Sequence, residues 1–334
     1  MRKRKTPIVF IPGLFGSMSN IIIPGTGNWS FGLSAFVYEP FIMMLESMGY
    51  ERNKNLFICF YDWRQRIVFS TQKYLLQTIA YAKKITGCDK LNLICHSMGG
   101  LLGRSYVQSD EYKNDVNQLI ILCTPNAGSP PNYSYWTGGS LPIHASSKIN
   151  IVHFYMEQYI CYLSILHKMN KVEAIHIYFP GLQDVIPCKD YGNYLFIKSD
   201  SSITFLPYSK MKTKNPFLDI LNTNRFIIQK RNIETTLIAG DGEETTQYLQ
   251  VVPSHSKLKW TDGKVVGDLL TKHGDGNAVL HSIFLLEGNK YVLHASHNEV
   301  LYKSIFLLEG NKYVLHASHN EVLYKSIPIL QKIL

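Results

Sequence analysis

Ser97 stands in the run Ile94-Cys95-His96-Ser97-Met98-Gly99-Gly100, between an apolar β-type stretch, LNLI, and a helix-type stretch, GLLGRSYV. A serine hydroxyl is a weak nucleophile. It attacks a carbonyl only when a base takes its proton and a fixed turn aims it. A sharp strand-to-helix turn gives that aim by lifting the hydroxyl above the sheet edge. Such a turn crowds its neighbours and calls for small residues two before and two after the serine. Gly99 meets the second need, and Cys95 stands at the first place, where glycine is usual. The pattern predicts Ser97 as the nucleophile of acyl hydrolysis or transfer.

Acyl chemistry passes through an oxyanion, which needs backbone N–H donors in a site that the chain can approach closely. Ile11-Pro12-Gly13-Leu14-Phe15-Gly16 follows the first β-type run and has the glycines for it. Met98, directly after the nucleophile, is expected to give one donor and Leu14 the other, with Phe15 next in line. The remaining parts are an acid and a histidine, in that order after the serine. Asp275, in His273-Gly274-Asp275-Gly276-Asn277, sits in a Gly-flanked loop suited to orienting an imidazole, and Asp241 in IAGDGEE is the alternative. A solvated turn aspartate is the plain reading of Asp275. His297 opens a turn after a last strand-type run, YVLHAS, whereas His294 lies within that run as a packing residue.

A second histidine competes with His297. Residues 282–303, SIFLLEGNKYVLHASHNEVLYK, recur letter for letter as residues 304–325, so His319 is the alternative base. Two copies are too few for a solenoid. His297 is favoured because a single helix-strand unit joins it to Asp275. His294 and His297 lack a third convergent partner for a metal. No metal or cofactor is expected.

These residues need a frame that holds them at one edge of a sheet. PIVFI, LFICFY, LNLICH and QLIILC read as strands and alternate with helix-period segments. Phe41, Met44, Leu45 and Met48 share one helical face; Leu75, Leu76, Ile79 and Ala82 share another, with Ser70 or Thr71 as N-cap and Gly87 as C-cap. Parallel neighbours require such crossovers, so the expected fold is α/β, a mostly parallel central sheet with helices on both faces. The alternation lapses over 131–231 and resumes with TTLIAG. The expected organisation is core over 1–130, an inserted cap over 131–231, and returning core over 232–334. Within the cap, Ile149 to Met169 is apolar on most sides and rich in tyrosine, the character of a core helix or of a lid that meets lipid.

With those motifs in place, the chain resembles the lecithin:cholesterol acyltransferase-like branch of the α/β-hydrolase superfamily, lipases and phospholipases included. The resemblance rests on IPGLFGS, on Tyr61-Asp62-Trp63-Arg64, on HSMGG, on TPNAGSP at Thr124 to Pro130, on LIAGDGEET and on GDGNAVLHS, which is similar to a GDGTV-type acid loop. It covers about residues 6–130 and 233–300. The resemblance implies a triad of Ser97, Asp275 and a C-terminal histidine, with Leu14 and Met98 as oxyanion hole. It implies a structural role for Asp62, Trp63 and Arg64, with a substrate-facing Trp63 as the alternative. Departures are Cys95 for glycine and Asn277-Ala278 for Thr-Val. The activity implied is a serine acyl hydrolase on lipid esters. The alternatives are a lipid O-acyltransferase and a catalytically silent lipid-binding protein of the same fold.

Composition bounds the rest. With 46% hydrophobic and 18% charged residues among 334, the chain has the material for a large core, which excludes a disordered protein. A net charge of +9 suits an anionic membrane surface, while the scattered basic residues carry no nucleic-acid motif. Pro and Gly in TPIVFIPGLFGS interrupt any export segment after the basic start, and no run of about 18 apolar residues occurs. The six cysteines show no metal-ligand spacing. A cytoplasmic setting is expected.

Overall fold

The computed structural model describes residues 5–139, 151–254, 256 and 259–305. His319 and the second repeat copy beyond residue 305 lie outside the described residues. Four strands come first: β1 (Ile8–Ile11), β2 (Leu56–Ile58), β3 (Leu91–His96) and β4 (Val116–Leu122). Then follow β5 (Leu195–Lys198), β6 (Ile203–Leu206), β7 (Glu234–Asp241), β8 (Thr245–Val252), β9 (Lys264–Thr271) and β10 (Asn289–His294). One sheet has the order β10-β7-β4-β3-β1-β2 with every pairing parallel. This is the α/β architecture with a central parallel sheet.

Its strands are nearly continuous in apolar residues because both faces are covered. Val9, Ile11, Leu93, Cys95, Leu119 and Ile121 join one core. Their neighbours Ile8, Phe10, Ile94, Ile120 and Leu122 join the other. The helices 67–86 and Met98–Gln108 lie on the first side, and Ala35–Ser47 with Glu299–Lys303 on the second. Phe41 and Leu45 are buried on the expected face, as are Leu75, Ile79 and Ala82. Gly87 takes φ 66° at the expected C-cap. The start of that helix differs from expectation. It begins at Ile67, whose N–H is bonded by the Asp184 carboxylate at 2.8 Å, and Ser70 and Thr71 lie inside it. A partner 117 residues away replaces the local cap.

The second sheet, of order β6-β5-β8-β9, stands apart from the first. Its strands come from 195–206 and 245–271, on both sides of residue 231, where the sequence divides cap from returning core. Buried Arg104, on the helix after Ser97, ties these parts together. It donates to Gln108, to Asn126 after β4 and to Asn222 in the helix Pro216–Thr223, and burial pushes its guanidinium down to about 9. No described helix is long and apolar enough to cross a membrane.

Candidate active site

β1 and β3 are neighbours in the sheet, and the chain leaves them toward opposite sides, so their C-terminal ends flank a crevice. Ser97 follows β3 directly and holds φ 53° and ψ −128°, a region that side chains rarely occupy. Its N–H is bonded by the Leu122 carbonyl at 2.8 Å, and its carbonyl accepts from Thr124 Oγ1 at 2.7 Å. The end of β4 therefore holds the turn in place. A Cβ at position 99 would strike the Ile11 carbonyl, which explains the need for glycine two places after the serine. Two places before it, the Cys95 thiol is accommodated by a glycine on the next helix: a Cβ on Gly103 would come within 2.8 Å of Sγ.

Asp275 is buried, and its Oδ2 lies 2.8 Å from His297 Nδ1. Oδ1 accepts from the N–H groups of Asn277 at 2.9 Å and Ala278 at 2.7 Å. Burial alone would push this carboxyl up. The charge of His297 and the hydrogen bonds from His297, Ala278 and the Cys123 thiol outweigh it and hold the carboxyl below the ordinary carboxylate range. His297 sits in the turn between β10 and the helix Glu299–Lys303, and its N–H donates to the Asp275 carbonyl at 2.7 Å. Asp241 is at the end of β7, 3.8 Å from His273 Nδ1, and makes no bond to His297 among the described residues. His294 is exposed on β10, with its ring over Gly242.

A cavity of about 330 Å³ brings these groups together: Ser97, Met98, Leu14, Phe15, Asp275 and His297 all line it. Met98 opens its helix, so its N–H is one of those a helix leaves unbonded. Phe15 holds φ 62°, and Ser34 Oγ fixes its carbonyl at 2.9 Å. The site thus has a hydroxyl on a strained elbow and a buried carboxylate–imidazole pair, with Leu14, Phe15 and Met98 along the same cavity.

Parts of the chain are similar to known proteins. The family model described as lecithin:cholesterol acyltransferase matches residues 31–148. Over those residues the chain is similar to that family. Over 100 residues it is 31% identical to lecithin-cholesterol acyltransferase-like 4 of Arabidopsis thaliana, covering 29% of this chain and 19% of that protein. Over 99 residues it is 33% identical to phospholipase A(1) LCAT3 of the same plant, covering 28% and 22%. The chain thus matches about a fifth of the length of these relatives. A Bacillus licheniformis lipase in mature form aligns over 91% of this chain and 90% of its own, at 13% identity and a TM-score of 0.46.

The Tyr61–Arg64 segment is architectural. Trp63 is fully buried and its indole N–H donates to the Ser17 carbonyl at 2.9 Å. Arg64 pairs with Asp62 and donates to the carbonyls of Ile21 and Ile22, fastening the loop that follows the Leu14 segment. Ligand atoms of Cys123, Asp275 and His297 lie within 4.8 Å of one another, the one such group among the described residues. As a metal-donor set they fit poorly. Burial pushes the Cys123 thiol well up, against the thiolate that a metal needs, and the carboxylate and imidazole already bond each other.

Sequence reasoning missed His96 and Tyr38. Tyr38 Oη accepts the Gly13 N–H at 2.9 Å and lies 3.1 Å from His96 Nδ1, while His96 Nε2 lies 3.0 Å from the His297 carbonyl. This fixes the tautomer: Nε2–H donates to the carbonyl and Nδ1 accepts the tyrosine hydroxyl. Burial, then the charge of His297, lowers His96 to about 3, so the ring stays neutral. The chain of bonds links the Leu14 loop to the His297 loop. Its one sequence signal was a histidine inside an otherwise apolar strand.

Proposed function

We propose that this chain is a serine-dependent acyl hydrolase, an esterase or lipase acting on carboxylic esters of lipids through an acyl-serine intermediate. The observation that carries the reading is the 2.8 Å bond between Asp275 and His297 in the cavity that Ser97 lines. Ser97, Asp275 and His297 are its triad, and the N–H groups of Leu14 and Met98 its oxyanion donors. As Ser97 Oγ bonds the ester carbon, its proton passes to His297 Nε2, and Asp275 stabilises the imidazolium. The ester C–O bond breaks as His297 returns that proton to the departing alcohol. Water, deprotonated by the same nitrogen, then attacks the acyl-serine and restores the hydroxyl. An alcohol in place of water gives a transferase, and the two plant relatives carry one name of each kind. A substrate presented on an anionic lipid surface suits the net charge of +9 and the outward apolar side chains of the helix Ile151–Leu166.

The test is labelling by a small fluorophosphonate, which reacts rapidly only with an activated serine. Wild-type protein should label, and Ser97→Ala and His297→Ala should not, while His319→Ala labels as wild type. Loss in His319→Ala alone would assign the base to the second repeat copy. Equal labelling of folded Ser97→Ala would overturn the reading.

A further inference from the structure

His297 Nε2 is the atom that must receive the Ser97 proton, and a different side chain holds it. The ionised Asp275 carboxylate accepts from Nδ1, so the ring proton is on Nδ1 and the lone pair is on Nε2. Asn277 Nδ2 lies 3.3 Å from Nε2 and donates into that lone pair. No hydrogen bond joins Ser97 Oγ to His297 among the described residues. Asn277 is also delivered from a rigid frame. Its N–H donates to Asp275 Oδ1 at 2.9 Å and its carbonyl accepts from Ser129 Oγ at 2.6 Å. Both bonds use main-chain atoms, so they fix where the carboxamide stands whatever else that side chain does.

We propose that Asn277 is a positioning residue for the base: in the unliganded protein its carboxamide occupies the Nε2 lone pair, and displacement of that amide by an entering ester hands the nitrogen to Ser97. The inference rests on the triad reading above. Asn277, Ser97 and His297 line one cavity, so a substrate that reaches the hydroxyl also reaches the amide. The contact is between neutral groups at the long end of hydrogen-bond distances, so it restrains the ring yet yields readily. A donor on the lone pair has two effects of one sign. It blocks the site that takes the proton, and it favours the neutral ring over the charged one. The Asn277 amide therefore lowers the reactivity of Ser97 until it is displaced. It holds the same tautomer that Asp275 selects, so the ring needs no proton rearrangement on release.

The test uses the full chain with 15N-labelled histidine, as wild type, Asn277→Ala and Asn277→Leu. Leucine keeps the side-chain volume without a donor and guards against a collapsed loop. Both variants should move the His297 Nε2 resonance toward that of an unbonded imidazole nitrogen. Labelling of Ser97 by the fluorophosphonate should accelerate about three- to tenfold, the factor that one modest hydrogen bond provides. An unmoved resonance in the folded variants, or labelling no faster than wild type, overturns the inference. A resonance that moves while no form of the protein labels at Ser97 separates the two failures: the amide contact is real, and the triad reading falls together with the handover.

Discussion

At Ser97 the backbone is held at φ 53° and ψ −128°, where a Cβ costs about 1–3 kcal/mol. The bonds from Leu122 and Thr124 and the crowding by Ile11 hold it there against that cost. Glycine populates this region without the penalty. Ser97→Gly should therefore fold at least as stably as wild type, by about 1 kcal/mol in urea denaturation, and hydrolyse no ester. A loss of stability would mean that the elbow is not strained. Asp275 and Asp241 make a second contrast. Asp275→Asn should cut kcat/KM by about 10⁴, because the imidazole loses its tautomer and its counter-charge together. Asp241→Asn, beyond bonding reach of His297, should remain within a few-fold; the reverse order would transfer the acid to the β7 loop. Asp275 and Ser97 were legible because each stands in a short motif whose conformation is local. Asp241 stayed as the alternative to Asp275, since two Gly-flanked aspartates differ only in which strand end their loop leaves.

β3 and the helix Ala35–Ser47 show what local patterning leaves out. The apolar face of that helix was read from periodicity, because burial on one face imposes the period on the sequence itself. His96 and Tyr38 carry no such mark, since each is polar within a buried surface and is satisfied by partners 25, 58 and 201 residues away. The Ile67 helix start was hidden for the same reason, its cap being Asp184. The consequence of burying His96 is measurable. Below about pH 6.5 the unfolded imidazole takes a proton, which the folded one refuses until about pH 3. The unfolded state thus binds more protons across that window, and stability falls as pH drops through it, by about 1.4 kcal/mol per pH unit at full difference. His96→Asn should be less stable at pH 7 but show a shallower decline in urea midpoint from pH 6.5 to 4. An unchanged slope would mean that His96 is not the group responsible. Tyr38→Phe leaves the Gly13 N–H and His96 Nδ1 without their hydroxyl, and should lower stability by about 1–3 kcal/mol.

Over the whole molecule, the segment read from sequence as core helix or lid divides by face. In the helix Ile151–Leu166, Met156, Ile160 and Leu163 are buried at spacings of four and three, while Phe154, Tyr162, Ile165 and Leu166 are more than half exposed. Sequence could not separate the faces, because both are apolar and a periodicity needs contrast. The helix joins the main core from the side of Tyr159, whose hydroxyl donates to the Ile22 carbonyl in the loop fastened by Arg64. The cavity that Ser97 lines is walled instead by Phe36, Val37, Tyr135 and Val185, with no residue of this helix in its described lining. The two faces then predict separate losses. Ile160→Ala removes a buried branched side chain and should cost about 2–5 kcal/mol in denaturation. The double change Phe154→Ser with Ile165→Ser removes only exposed surface, so it should leave the denaturation midpoint and hydrolysis of a short soluble ester at wild-type levels. Hydrolysis of ester lipid in anionic vesicles should fall severalfold, because binding at an interface scales with the apolar area inserted plus the attraction of basic charge. Equal rates on vesicles would place the outward face away from the lipid and leave the net charge of +9 to account for any binding.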